Sequence, residues 1–266
     1  MNHKVQLTEA QETLLITLYC KALPNPIFHD PTSQEILEGI DYEFEQLKVP
    51  VQTRLTVRMR AKQMDYYTRA FLEENPHATV IHLGCGLDSR YKRLDNGLVN
   101  WYDLDMPDVI EIRRNFYSES DRYHLISTSV ASLDWLNLLP VVRQPVMVVA
   151  EGLLMYLNEK EVKALILKLG EKFPGCRLVC DVFSQMTAAR VGQHPSLKRT
   201  GAVVKWGIDN AMDIEEWGQG INLIEEWFFT QSEDIQQLTT LLRFVFNFTG
   251  RFSIARKAHR ILYYSL

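Results

Sequence analysis

From Ala78 onward the chain repeats one pattern, a short β-rich run followed by an amphipathic helical stretch. The runs read TVIHL, VNWYDLD, YHLISTSV, PVMVVAEG and RLVCDVFS. A helix between two strands carries the chain back across a sheet, so this alternation predicts βαβ units around a mostly parallel sheet, an α/β fold. The stretch between the fourth and fifth runs shows the periodicity. Val162, Leu165, Ile166 and Leu169 share one helical face, whereas Glu159, Lys160, Lys163 and Lys168 lie elsewhere. Asn158 and Glu161 have the spacing of an N-terminal capping box. Further along, INLIEEWFF predicts a strand, EDIQQLTTLLRFVFNF a helix and HRILYYSL a closing strand. Residues 1–77 are helical in pattern and broken by the proline-rich LPNPIFHDP, which predicts a helical cap over the ligand end of a core spanning 78–266. The poorly periodic stretch from Gln185 to Gly220 is expected to be a substrate-side insertion. No repeat, low-complexity tract or long linker divides the chain, and 266 residues with 46% hydrophobic content suit a single domain.

Composition excludes several partners. With 23% charged residues and a net charge of −4 there is no broad basic field for a nucleic-acid backbone, so a small molecule or a protein group is the expected partner. The start, MNHKVQLTEAQETLL, has no basic stretch followed by an apolar run, and nothing later reaches membrane-spanning length; a cytoplasmic protein without a membrane partner is expected. Cys20, Cys85, Cys176 and Cys180 are too scattered for a disulfide framework. Cys176 and Cys180 lack a second pair or a His cluster and read as apolar filler, so no metal is expected.

The chemistry sits at strand ends. TVIHL runs into Gly84-Cys85-Gly86, where two glycines let the backbone turn tightly and approach a ligand with no Cβ in the way. The third glycine of a dinucleotide fingerprint is replaced by Ser89, which disfavours a pyrophosphate cofactor and leaves a nucleoside. Asp88 reads as a cap for the helix that follows. At the end of the second run, Asp103 and Asp105 flank Leu104; an acid there can accept hydrogen bonds from both ribose hydroxyls, and spacing alone does not choose between them. The alternative for both is a solvated strand end or a helix cap. The fourth run ends in Glu151, which is expected beside the ligand crevice or in a structural pair with an arginine. In the helix near residues 53–75, Arg54, Arg58 and Lys62 make a solvated basic ridge, but Arg60 falls in register with Val57, Met64, Tyr67 and Phe71. A guanidinium on that face needs an anion, either a ligand carboxylate or an internal ion pair.

Arg60-Ala61-Lys62 with Asp65, then VIHLGCGLDSRYKRL, WYDLDMPDVI and AEGLLMYL, together resemble the leucine carboxyl methyltransferase family, which includes tetracenomycin-type polyketide O-methyltransferases. The resemblance covers residues 20–185 and implies a Rossmann-like class I methyltransferase sheet of seven strands, the last antiparallel, with a helical N-terminal cap and S-adenosylmethionine as cofactor. By that resemblance Arg60 corresponds to the arginine that binds the cofactor carboxylate, Gly84 to the glycine packed under it, Asp105 to the ribose acid and Glu151 to the glutamate near the methionine part. Cys85 and Gly86 complete the loop. Lys21 corresponds to a second carboxylate-binding cation, with shifted spacing. Where the family has an Asp beside the adenine, this chain offers Ser129 and Val130.

The implied reaction is in-line displacement by a substrate carboxylate or hydroxyl oxygen, for which the protein supplies alignment and a dry site. No general base declares itself. Tyr156, after an apolar run, reads as packed, and His194 as a surface histidine. Two other readings remain open: a nucleotide-dependent oxidoreductase on a similar sheet, and a non-catalytic S-adenosylmethionine-binding module.

Overall fold

A computed structural model describes residues 12–139, 145–192 and 202–266. Three helices come first: α1 (Glu12–Ala22), α2 (Pro31–Gly39) and α3 (Val51–Glu74). The strands are β1 (Thr79–Leu83), β2 (Asn100–Asp105), β3 (Tyr123–Ser127), β4 (Val146–Ala150), β5 (Arg177–Phe183), β6 (Asn222–Phe228) and β7 (His259–Ser265). Short helices α4 (Arg90–Leu94) and α5 (Pro107–Arg113) follow β1 and β2, and α6 (Glu159–Lys172) follows β4.

All seven strands join one sheet in the order β3-β2-β1-β4-β5-β7-β6. β1 to β5 pair in parallel, and β7 inserts antiparallel to both β5 and β6. The central strands β1 and β4 are buried along their whole length, so both faces must be apolar, as their uninterrupted hydrophobic runs require. One face, with Val80, Met147, Val149 and Val179, packs beneath Leu15, Leu18, Met59 and Met64 of the helical cap. The other face, with Ile81, Leu83, Val148 and Ala150, packs on Val162, Leu165, Ile166 and Leu169 of α6. Each of those four side chains contributes roughly 1.5–3 kcal/mol by leaving water. Asn158 and Glu161 form the reciprocal capping box that their spacing predicts.

Two expectations need correction, at 233–248 and at Arg58, and the stretch expected as an insertion gains detail. The stretch at 233–248 is two elements rather than one helix: a 3-10 turn at Glu233–Gln237 and an α-helix at Thr240–Thr249, because Ser232 caps the first and the chain turns extended at Leu238 and Thr239. The poorly periodic stretch after β5 carries a helix at Gln185–Val191 and a 3-10 helix at Ala211–Trp217, with Trp206 and Ile208 buried against the sheet; residues 193–201, which include His194, lie outside the described residues. Arg58 is only 7% exposed, so it belongs to no solvated ridge. Its guanidinium donates to the carbonyls of Cys20 at 2.7 Å and Leu23 at 3.1 Å, capping the carboxyl end of α1. Helical periodicity registered a row of cations there, but gave no sign that α1 would be laid across it.

Candidate cofactor and acceptor site

Strand register gathers the site. Leu83 of β1 pairs with Leu104 on one side and with Ala150 on the other. Gly84, Asp105 and Glu151 are therefore the next residues of three neighbouring strands, at the carboxyl edge where the strand order reverses and open α/β sheets bind ligands. A cavity of about 270 Å³ opens at that edge. Gly84, Cys85, Gly86 and Glu151 line it, with Lys21 reaching in from α1 and Arg60 from α3. Met155, Tyr156, Phe183, Val191 and His259 line it as well. Thr13, Leu14 and Thr17 of α1 roof it.

The glycines are required by backbone shape. Gly84 has φ +61° and Gly86 φ +52°, in the left-handed region that costs an L-residue about 1–2 kcal/mol. A Cβ on Gly84 would lie 2.9 Å from Leu153 Cδ1, and one on Gly86 2.8 Å from Leu14 Cδ2. The loop therefore presents bare backbone to the cavity.

Buried charges converge beside it. Glu151 Oε1 accepts from Lys21 Nζ at 2.9 Å and from Arg60 Nε at 3.2 Å, and Oε2 accepts from Arg90. Burial pushes its carboxyl up, but Lys21, Arg60 and Arg90 together outweigh that and hold it below the ordinary carboxylate range. Arg60 Nη1 donates to Asp181 Oδ2 at 2.9 Å. Of the two alternatives for Arg60, the internal ion pair is observed: Nη2 also lies 3.2 Å from Glu151 Oε1, so all three guanidinium nitrogens are paired, while the residue lines the cavity. Glu151 is likewise both paired with arginine and at the crevice. Lys21 also donates to Asp88 Oδ2 at 2.6 Å, so it bridges the loop after β1 and the end of β4. Asp88 accepts from Arg90 N at 2.8 Å, the capping role expected of it, while its other oxygen serves the charge cluster. Ser89, in place of a third glycine, donates to Asp30 at 2.6 Å.

Of the two acids at the end of β2, Asp103 is fully buried and saturated by Arg113, Tyr123 Oη at 2.6 Å and Trp101 Nε1 at 2.8 Å. Burial raises its carboxyl, yet Arg113 and the other donors hold it at about 2. Asp105 is held by two backbone amides, Gly86 N and Met106 N, both at 2.7 Å. Burial shifts its carboxyl up, and no cation is paired to it among the described residues. Asp103 is therefore spoken for by the core, and Asp105 touches the glycine loop. Ser129 and Val130 follow β3; Ser129 caps a short 3-10 turn and Val130 is buried, and neither lines the cavity. Tyr156, expected to be merely packed, lines it.

Sequence reasoning passed over Asp181, His259, Arg90 and Arg93. Arg90 and Arg93 clamp Asp65 of α3 at 2.7 and 2.6 Å, tying the cap to the sheet. A signal existed for Asp181, a lone carboxylate inside the apolar run RLVCDVF, since a buried acid demands a partner. His259 gave none, because its neighbours come from elements far away in sequence.

Comparison with known proteins shows the family and the fold. The leucine carboxyl methyltransferase family model matches residues 12–170. The chain belongs to the leucine carboxyl methyltransferase family. It is an S-adenosylmethionine-dependent methyltransferase by that membership. It is 35% identical over 270 residues, covering 100% of both chains, to the tetracenomycin polyketide synthesis O-methyltransferase TcmP of Streptomyces glaucescens. It is 32% identical, over 85% of this chain and 84% of the relative, to the S-adenosyl-L-methionine-dependent methyltransferase dpfgK of Gibberella zeae. In fold it is similar to a duf574 family protein from Streptomyces avermitilis, with a TM-score of 0.63, 12% identity and coverage of 97% of this chain and 98% of that one. The seven-stranded sheet with its antiparallel β7 is the architecture that the motifs implied.

Proposed function

We propose that the chain transfers a methyl group from S-adenosylmethionine to an oxygen of a small, largely aromatic acceptor, within one domain whose helical cap closes the site. The donor set fits the cofactor. Its carboxylate suits the Arg60 guanidinium and Lys21, its ammonium suits Glu151, and its ribose hydroxyls suit Asp105. The positive-φ glycines leave the backbone bare where the nucleoside would lie. Ser129 and Val130 are proposed for the adenine, and Cys85 for packing beside the loop.

When bound, the cofactor supplies a methyl carbon on a sulfonium, an electrophile with a neutral thioether as leaving group. The chain's own residues then align and dehydrate. Arg60 is fixed by Glu151 and Asp181, so its orientation is set before a ligand arrives. The roof of α1 removes water from the same space.

The single observation that carries the reading is one cavity lined both by a cluster of buried charges that matches a zwitterion and by apolar and aromatic side chains. Those side chains, together with full-length similarity to a polyketide O-methyltransferase, favour a small acceptor over a protein carboxyl terminus. Among the described residues no helix is long and apolar enough to cross a membrane, and the four cysteines are buried and free; we infer a cytoplasmic enzyme. Titration calorimetry with S-adenosylmethionine, S-adenosylhomocysteine and NAD tests the assignment. Binding of the first two and none of NAD is expected; NAD binding alone would return the oxidoreductase reading.

A further inference from the structure

Between β6 and β7 the chain makes a long excursion, residues 229–258, that the contacts assigned to the cofactor do not use. It leaves and returns beside the cavity, since Phe228 pairs with Arg260 and the neighbouring His259 lines the cavity. Its main element is the helix Thr240–Thr249, which is apolar on two sides. Leu242 and Phe246 pack against the core on one side. Leu241, 73% exposed, Phe244, 65% exposed, Val245 and Phe248 face water on the other, and no residue of this helix is buried. Spacings of three and four residues set those four on one face. The row continues past the helix: Phe244 stacks on Phe248 with centroids 6.0 Å apart, Phe248 meets Phe252 at 5.4 Å, and Ile254 is exposed beyond them. A continuous apolar ridge in water marks a contact surface, which singly scattered apolar residues would not.

The charge along the ridge has one sign. Residues 235–266 contain no Asp or Glu, and Arg243, Arg251, Arg256 and Lys257 are interleaved with the apolar positions. Among the described residues no carboxylate pairs with any of the four. Arg256 is held over the Phe228 ring at 4.8 Å, whereas Arg260, the remaining cation of the segment, is buried and tied to Glu226. The net charge of −4 concealed this, because acids elsewhere outnumber the cations, and so gave no reason to expect a lipid partner.

We propose that this ridge is a peripheral docking face for an anionic lipid surface, with Phe244, Phe248 and Phe252 entering the interface and the cations meeting the headgroups. An amphipathic element with aromatic residues on one face and Arg or Lys beside them lies in the plane of a bilayer without crossing it. A second copy of the chain fits poorly, since ridge on ridge brings like charges together with no acid in the segment to neutralise them. An acidic protein would have to supply a groove for a protruding helix, and the four exposed face positions offer it no hydrogen-bonding side chain. A lipid interface needs neither. The proposal stands on the ridge alone and is independent of the methyl-transfer reading.

Flotation of the full chain with vesicles of phosphatidylcholine, alone or equimolar with phosphatidylserine, tests it. Binding to the mixed vesicles is expected to be at least about tenfold tighter than to phosphatidylcholine, and rising salt should weaken it. Each Arg or Lys near such a surface adds about fivefold, so Arg251→Gln should lose about that factor. The paired change Phe244→Ser and Phe248→Ser should abolish binding and leave the thermal midpoint in place, since neither ring is buried. Leu138, 69% exposed and outside the ridge, supplies the control: Leu138→Ser should change nothing. No binding to the mixed vesicles, equal binding to pure phosphatidylcholine, or an equal loss in Leu138→Ser overturns the proposal. A dimer by light scattering that the paired Phe change dissolves overturns it in favour of a second copy. Capture of poly-L-glutamate without vesicle binding overturns it in favour of an acidic protein.

Discussion

Replacing Arg60 by methionine keeps the length of the buried stem and removes its charge. In the folded protein Glu151 would keep Lys21 and Arg90, but Asp181 would lose its arginine and retain only His259 and the Gly152 amide. Removing one partner of a buried ion pair costs about 3–5 kcal/mol, and the retained contacts place Arg60→Met at the lower end, about 3 kcal/mol. On binding, the lost interaction is a charge-assisted contact to the cofactor carboxylate, worth about 1.5–3 kcal/mol, or roughly a 10- to 100-fold rise in Kd. Calorimetric titration with S-adenosylhomocysteine, alongside urea denaturation, separates the two. Arg60→Lys guards against a variant that merely unfolds: it keeps the charge and loses the planar fork, so it should fold and still bind at least about tenfold more weakly. Lys62→Met is the control from the same helix. Lys62 has a side chain 49% exposed and pairs with the buried Asp234, which keeps Ser232 and Gln237 as donors, so its loss should leave affinity unchanged. Equal affinity in Arg60→Lys and Lys62→Met would refute the reasoning.

Other consequences follow from the same geometry. Asp103→Asn should lower stability by about 3–5 kcal/mol, read by denaturation, because it strands Arg113 in the core, whereas Asp105→Asn should cost little stability and weaken nucleoside binding at least about tenfold. Asp103 is held at about 2 in the folded chain, below its ordinary 3.8. Its contribution, about 2 kcal/mol, is therefore complete above pH 4 and disappears as pH falls toward 2, which acid titration of the urea midpoint will show. Asp105 shifts the other way through burial. Ribose hydroxyls favour its ionised form, so S-adenosylhomocysteine affinity should fall as acid protonates Asp105, starting above the usual carboxylate range, and that part of the pH dependence should be lost in Asp105→Asn. Gly84→Ala, at φ +61° and beneath Leu153, should lose about 1–2 kcal/mol of stability by thermal melting, plus affinity.

The strands from Thr79 to Phe183 were legible because each is a short β-rich run bounded by turn or helix signals. The glycine turn, Asp105 and Glu151 were legible for the same reason, since strand ends mark the ligand edge of such a sheet. Local pattern could not separate Asp103 from Asp105, because their tertiary partners differ: Arg113 and Tyr123 hold one and backbone amides the other. Arg58 was misplaced because helical periodicity describes one helix and α1 covers what periodicity leaves outside. His259 was invisible because its meaning depends on Asp181, a partner 78 residues away.

The most direct test is a crystal structure of the protein with S-adenosylhomocysteine. The account predicts the ribose hydroxyls on the Asp105 carboxylate and the amino-acid carboxylate on Arg60, both over the Gly84–Gly86 loop. A nucleoside bound at that edge with neither contact, or bound elsewhere on the chain, would contradict it.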